Sequence, residues 1–103
     1  GITSKWWDWR SLPEGLHFFC QYYFQTLGYP ILIAENGMAL RRKPDNSVAT
    51  HRRDQLRRSE FIQAHIQQIQ RLQNEGVPMI GYMHWSLTDN YEWGSYTPRF
   101  GLF

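Results

Sequence analysis

A single cysteine, Cys20, stands in a chain of 103 residues. No internal disulfide can staple the fold, and a lone thiol leans toward a reducing compartment. No apolar run approaches the ~18 residues that a membrane span requires. The opening Gly1-Ile2-Thr3-Ser4-Lys5 lacks the apolar core of a signal peptide. Charge is scarce as well: 19% of residues are charged and the formal balance is +2, too weak for a global attraction to nucleic acid. No His/Cys cluster has metal-ligand spacing, no Gly-rich loop is placed to cradle a phosphate, and no Ser sits in a nucleophile elbow. The expectation is therefore no metal and no cofactor, with neither membrane nor nucleic acid as partner. Internal repeats and low-complexity segments are also missing.

What is present is apolar and aromatic. Hydrophobic residues make up 42% of the chain and aromatic residues 17%, which excludes a disordered tail. The length suits one small domain. Trp6, Trp7 and Trp9 cluster without periodicity and read either as a loop packed over another part of the fold or as a loop lining a carbohydrate or apolar groove. Ser11-Leu12-Pro13-Glu14 has capping-box spacing. It predicts a helix whose apolar face is Leu16, Phe19, Cys20, Tyr23, Phe24 and Leu27, closed by Gly28. Residues 31–34 then form a short apolar run between Gly28-Tyr29-Pro30 and Asn36-Gly37, the pattern of a strand buried on both faces. A polar, breaker-rich loop follows to Ala49. Thr50 is placed to cap a second helix over 51–75, with Leu56, Ile62, Ile66, Ile69 and Leu72 on one stripe. Arg52, Arg53, Arg57 and Arg58 read as its solvated face, and Gly76 ends it. A second strand runs from Met79 to Trp85, followed by a polar and aromatic loop.

Helix, strand, helix, strand is the alternation of an α/β fold with parallel strands joined by a right-handed crossover. Two parallel strands alone leave both edges and both faces uncovered. The chain is thus expected to continue a larger sheet or to assemble with another copy. Its final residues, Phe100-Gly101-Leu102-Phe103, read as the start of a further apolar segment, and the whole reads as a piece of a longer chain.

The chemistry concentrates at the strand ends. Glu35 directly follows the apolar run, and carboxyl ends of parallel strands are where α/β active sites are built. The alternative, a hairpin turn at Asn36-Gly37, needs an alternating strand after it, and Met38-Ala39-Leu40-Arg41-Arg42-Lys43-Pro44 is not one. Glu92, in Asp89-Asn90-Tyr91-Glu92-Trp93, also lies past a strand end among aromatics. On residues alone, Glu35 and Glu92 suggest an acid/base pair for glycoside hydrolysis; two surface acids are the bland counterpart. Trp85 and Trp93 are read either as sugar platforms or as core fillers, and His84 as a structural histidine.

Four motifs carry a resemblance. Ile33-Ala34-Glu35-Asn36-Gly37 resembles the nucleophile motif of glycoside hydrolase family 1, the β-glucosidase and β-galactosidase family. Leu12-Pro13-Glu14-Gly15-Leu16, Gly81-Tyr82-Met83-His84-Trp85-Ser86-Leu87 with Asp89-Asn90-Tyr91-Glu92-Trp93, and Arg99-Phe100-Gly101-Leu102 resemble other segments of that family, in the same order. Ala34 stands where Thr is more usual. The resemblance implies the C-terminal portion of a (β/α)8 TIM barrel, its seventh and eighth strands with flanking helices, so that residues 1–103 form one incomplete catalytic domain. It implies a retaining β-glycosidase with Glu35 as nucleophile. Trp85 would lie beneath the glycone ring, Glu92 and Trp93 would hydrogen-bond its hydroxyls, and Phe100 would wall the primary alcohol. Glu92 then becomes a binding residue. The acid/base belongs to an Asn-Glu-Pro motif that this sequence does not contain. A carboxylate at Glu92 also disfavours a 6-phosphorylated sugar. The runner-up is a catalytically inactive carbohydrate-binding or interaction fragment. Expected partners are a β-glycoside and either the missing part of the barrel or a second copy.

Overall fold

A computed structural model describes residues 11–52, 54–86, 88–89 and 98–102. The tryptophan cluster of residues 1–10, together with Glu92 and Trp93, lies outside the described residues.

The first helix, α1, spans Pro13–Leu27. Its N-cap is Leu12, not Ser11, and no side chain caps it. The capping box expected at Ser11 and Glu14 does not form. Proline occupies the first helical position, where its missing N–H is no loss, and this shifts the cap one residue past the serine. Gly28 closes the helix as expected, at φ 74°, donating its N–H to the Phe24 carbonyl at 2.8 Å. The apolar face is narrower than its periodicity implies. Leu16, Cys20 and Phe24 face the core, whereas Phe19, Tyr23 and Leu27 are more than half exposed, joined by Phe18 and Tyr22.

Strand β1 (Ile31–Asn36) pairs in parallel with β3 (Met79–His84), confirming the expected parallel arrangement. β1 is not buried on both faces. Ile31 and Ile33 pack on the core while Leu32, Ala34 and Glu35 are exposed, because among the described residues the helices cover one face of the sheet.

Helix α2 (Arg58–Asn74) begins eight residues after Thr50, which therefore does not cap it. A tight turn intervenes: Gln55 adopts φ 68° and donates to the Arg52 carbonyl at 3.0 Å, while Asp54 Oδ1 accepts from the Leu56 N–H at 3.3 Å. An aspartate bonded to the backbone two residues on competes with helix formation. Glu60 then reaches back to the Arg57 N–H at 3.2 Å and caps the helix start. At the other end Val77 donates to the Leu72 carbonyl at 2.9 Å and Gly76, at φ 86°, to that of Gln73 at 3.1 Å. This is a Schellman motif, and its apolar contact is supplied by Val77 and Leu72, both buried.

The main core joins Cys20 of α1, Ile69 and Leu72 of α2, Val77 and Met79, with Ile31, Ile33, Ile66 and Tyr82 against it. Leu72 is fully buried, so truncation there removes about 2–5 kcal/mol. A second cluster, Met38, Leu40 and Phe61 with Leu56 and Ile62, sits under the loop after β1. That loop is more ordered than its breakers suggest. β2 (Leu40–Arg41) pairs antiparallel with β4 (Pro98–Arg99), and a bridge joins Arg42 to Val48 around the turn at Lys43-Pro44-Asp45-Asn46.

Candidate active site

Glu35 lies one residue from the carboxyl end of β1, and its aim comes from an irregularity in the ladder. Ile33 pairs with Tyr82 and Asn36 with His84, so three steps along β1 match two along β3. One extra residue is accommodated at Ala34-Glu35, a β-bulge. Exposure breaks its alternation at the same place, with Ala34 and Glu35 both exposed in succession. In an unbroken strand Glu35 shares a face with Ile31 and Ile33, under the helices. The bulge turns it to the open face of the sheet, with Leu32 and Ala34. A carboxylate on that face is open to solvent and avoids the cost of burial under the helices.

Asn36 and Gly37 bring the second strand end alongside. The Trp85 N–H donates to the Asn36 carbonyl at 2.8 Å. A Cβ built on Gly37 falls on the Trp85 carbonyl oxygen, so only glycine lets the two backbones approach this closely. The Trp85–Ser86 peptide is cis. Ser86 in turn donates its N–H to the Phe100 carbonyl at 3.1 Å and accepts from the Leu102 N–H at 3.0 Å. Three of the five residues implicated by the sequence are therefore held through neighbouring backbones: Glu35 beside Asn36, Trp85 bonded to Asn36, and Phe100 bonded to Ser86. Trp85 is half-buried and Phe100 buried.

Two further residues brace this platform. Arg58, expected on a solvated helix face, is half-buried instead. Its Nη2 donates to the Met38 carbonyl at 3.2 Å and the Arg99 carbonyl at 2.6 Å, joining the loop after β1 to β4. A cation in the first turn of a helix opposes the helix dipole; that mismatch is the signal that marks Arg58, hidden while the helix is begun at Thr50. Asp89 Oδ1 accepts from the Gly101 N–H at 2.9 Å, and Oδ2 lies 3.7 Å from Arg99. His84, at the end of β3, is held below its ordinary pKa by burial and then by the Arg58 charge. Among the described residues no group of three or more His, Cys, Asp or Glu could hold a metal ion.

Residues 2–103 match the family described as Glycosyl hydrolase family 1. The chain belongs to glycosyl hydrolase family 1. The family expected from the four motifs is the family found. A family 1 relative, the β-galactosidase of Sulfolobus acidocaldarius, is 40% identical over 95 residues, which cover 91% of this chain and 17% of that protein. The 6-phospho-β-galactosidase 1 of Streptococcus pneumoniae is 32% identical, covering 100% of this chain and 22% of its own length. Among solved structures, the β-glucosidase from Thermotoga maritima, in complex with methyl acetic acid-substituted glucoimidazole, superposes with a TM-score of 0.74 at 35% identity, covering 91% of this chain and 21% of that one. The chain thus spans about a fifth of the length of the family 1 proteins it matches. Those structural neighbours are TIM-barrel glycosidases, and the α/β architecture here corresponds to part of such a barrel.

Proposed function

We propose that this chain is the nucleophile-bearing part of a retaining β-glycosidase acting on unphosphorylated β-glucosides or related sugars. β1 and β3 are then the seventh and eighth strands of the barrel, and residues 1–103 one incomplete catalytic domain. The observation that carries the reading is the placement of Glu35: an exposed carboxylate on the open face of a parallel sheet, one residue from a strand end bonded to Trp85.

The chemistry follows from that placement. A Glu35 carboxylate oxygen attacks the anomeric carbon as its bond to the glycosidic oxygen breaks. The leaving oxygen takes a proton from an acid outside this chain, since the Asn-Glu-Pro motif that supplies it in the family is absent. Water then cleaves the glycosyl ester and releases the sugar with its configuration retained. Trp85 offers an aromatic face to the apolar C–H face of the glycone. Phe100 walls the primary alcohol, and Glu92 and Trp93 hydrogen-bond the glycone hydroxyls. A carboxylate at Glu92 repels a 6-phosphate, which favours a plain sugar although a 6-phospho-β-galactosidase is among the relatives.

Incubation of the complete protein with 2-deoxy-2-fluoro-β-D-glucosyl fluoride, followed by proteolysis and mass spectrometry, tests the assignment. The expected result is one covalent sugar on the peptide containing Glu35. A sugar on a different residue removes Glu35 from the nucleophile role.

A further inference from the structure

The bulge that aims Glu35 is closed by one side-chain hydrogen bond. The Tyr82 hydroxyl donates to Asn36 Oδ1 at 2.7 Å. Tyr82 belongs to the last regular pair before the bulge and Asn36 to the first pair after it, so the bond spans the irregularity end to end. The Tyr82 ring packs against the main core, on the face covered by the helices. Asn36, half-buried, is drawn to that same face. With both ends of the bulge tied down there, the surplus residue is displaced the other way, and Ala34 and Glu35 project together from the open face. The Trp85 N–H, bonded to the Asn36 carbonyl, ties the aromatic platform to the same residue.

We propose that Tyr82 is a positioning residue for the glycosidase reaction: through Asn36 its hydroxyl holds the bulge that points Glu35 at the anomeric carbon. The proposal rests on the reading of Glu35 as nucleophile. Neither Tyr82 nor Asn36 touches the reacting atoms in this scheme. Their contribution is the direction of attack, and a displacement of about 1 Å in a reacting group lowers rates on the order of a hundredfold. Tyr82→Phe keeps the ring in the core and removes only the donor. Asn36→Ala removes the acceptor from the other side.

The test is the kinetics of covalent labelling by 2-deoxy-2-fluoro-β-D-glucosyl fluoride in the complete protein, comparing wild type, Tyr82→Phe, Asn36→Ala and the double variant. The limiting rate of Glu35 labelling is expected to fall about tenfold or more in Tyr82→Phe. The half-saturating probe concentration should stay within about threefold of wild type, since binding is not what the bond controls. The double variant should label no more slowly than the slower single variant, because both changes remove the same bond. Tyr82→Phe labelling Glu35 at the wild-type rate overturns the proposal. So does a double variant whose losses multiply, or a change confined to probe affinity. If Tyr82→Phe does not fold, Asn36→Ala alone decides: slow labelling at unchanged affinity supports the proposal and wild-type labelling overturns it. A wild-type protein labelled at a residue other than Glu35 defeats the underlying assignment instead, and mass spectrometry separates that failure from the others.

Discussion

A side chain at residue 37 has no room, because the first carbon beyond the backbone meets the Trp85 carbonyl oxygen. At the residue scale this is the tightest constraint on the site, since the obstruction is backbone and cannot rotate away. Gly37→Ala must push the turn after Glu35 away from the Trp85–Ser86 segment, and small-to-large changes of this kind destabilise by about 1–3 kcal/mol. Gly37→Ala in the complete protein is therefore expected to lower the unfolding midpoint and to reduce turnover more than stability alone explains, since the bond between Asn36 and Trp85 is what moves. Thermal melts beside steady-state kinetics check both parts; an alanine variant with wild-type kcat refutes the constraint. Arg58 is a second such residue. One guanidinium satisfies two carbonyls from separate segments, Met38 and Arg99. Burial pulls its pKa down and the Asp89 carboxylate opposes that pull.

At the element scale, α1 and α2 are fastened by polar contacts as well as by the core. His17 and Glu75 approach to 2.7 Å, and Glu75 also faces Arg71 at 3.3 Å. The hydrogen bond from His17, then its charge and that of Arg71, holds the Glu75 carboxyl below its ordinary pKa. A carboxyl with a lowered folded-state pKa stabilises the fold above its unfolded value and loses that contribution as the pH drops through the folded one. Wild type and Glu75→Gln are thus expected to differ in unfolding midpoint above about pH 4.3 and to converge as the solution is acidified further. Parallel midpoints across that range contradict the clamp.

The elements also mark what the sequence could and could not disclose. Both strands of the parallel pair, their order, and the glycines that end the two helices were legible, because apolar runs and left-handed caps leave local signatures. The start of α2 was not. Asp54 binds its neighbour's backbone and delays the helix, an effect that periodicity does not register. The exposed half of the α1 stripe was equally hidden, because periodicity marks an apolar face without saying whether this chain covers it. The position of Glu35 at a strand end was readable, but its turn to the open face depends on a bulge, and a one-residue irregularity has no compositional mark.

At the scale of the whole molecule, the parallel sheet has two strands among the described residues, and apolar side chains on it stand exposed. Leu32, Ile80 and Met83 are about half exposed or more, as are Phe18, Phe19, Tyr22 and Tyr23 on α1. The radius of gyration, 15.3 Å, exceeds the ~13 Å of a compact domain of this length. These surfaces fit a sheet whose remaining strands lie beyond this chain, and uncovered edges of this kind favour association. The 103-residue polypeptide by itself is expected to associate in sedimentation velocity and to leave aryl β-glucosides intact, for want of an acid/base; turnover by it contradicts the division of labour proposed here.

The most direct test of the central claim is chemical rescue in the complete protein carrying Glu35→Ala. With an activated aryl β-glucoside, turnover should fall on the order of a hundred-thousandfold or more, as when a nucleophile is removed. Added azide should restore it by entering the vacated space and yielding the α-glycosyl azide, of inverted configuration. A folded Glu35→Ala protein that keeps substantial activity, or that azide leaves inert, contradicts the claim that Glu35 is the nucleophile.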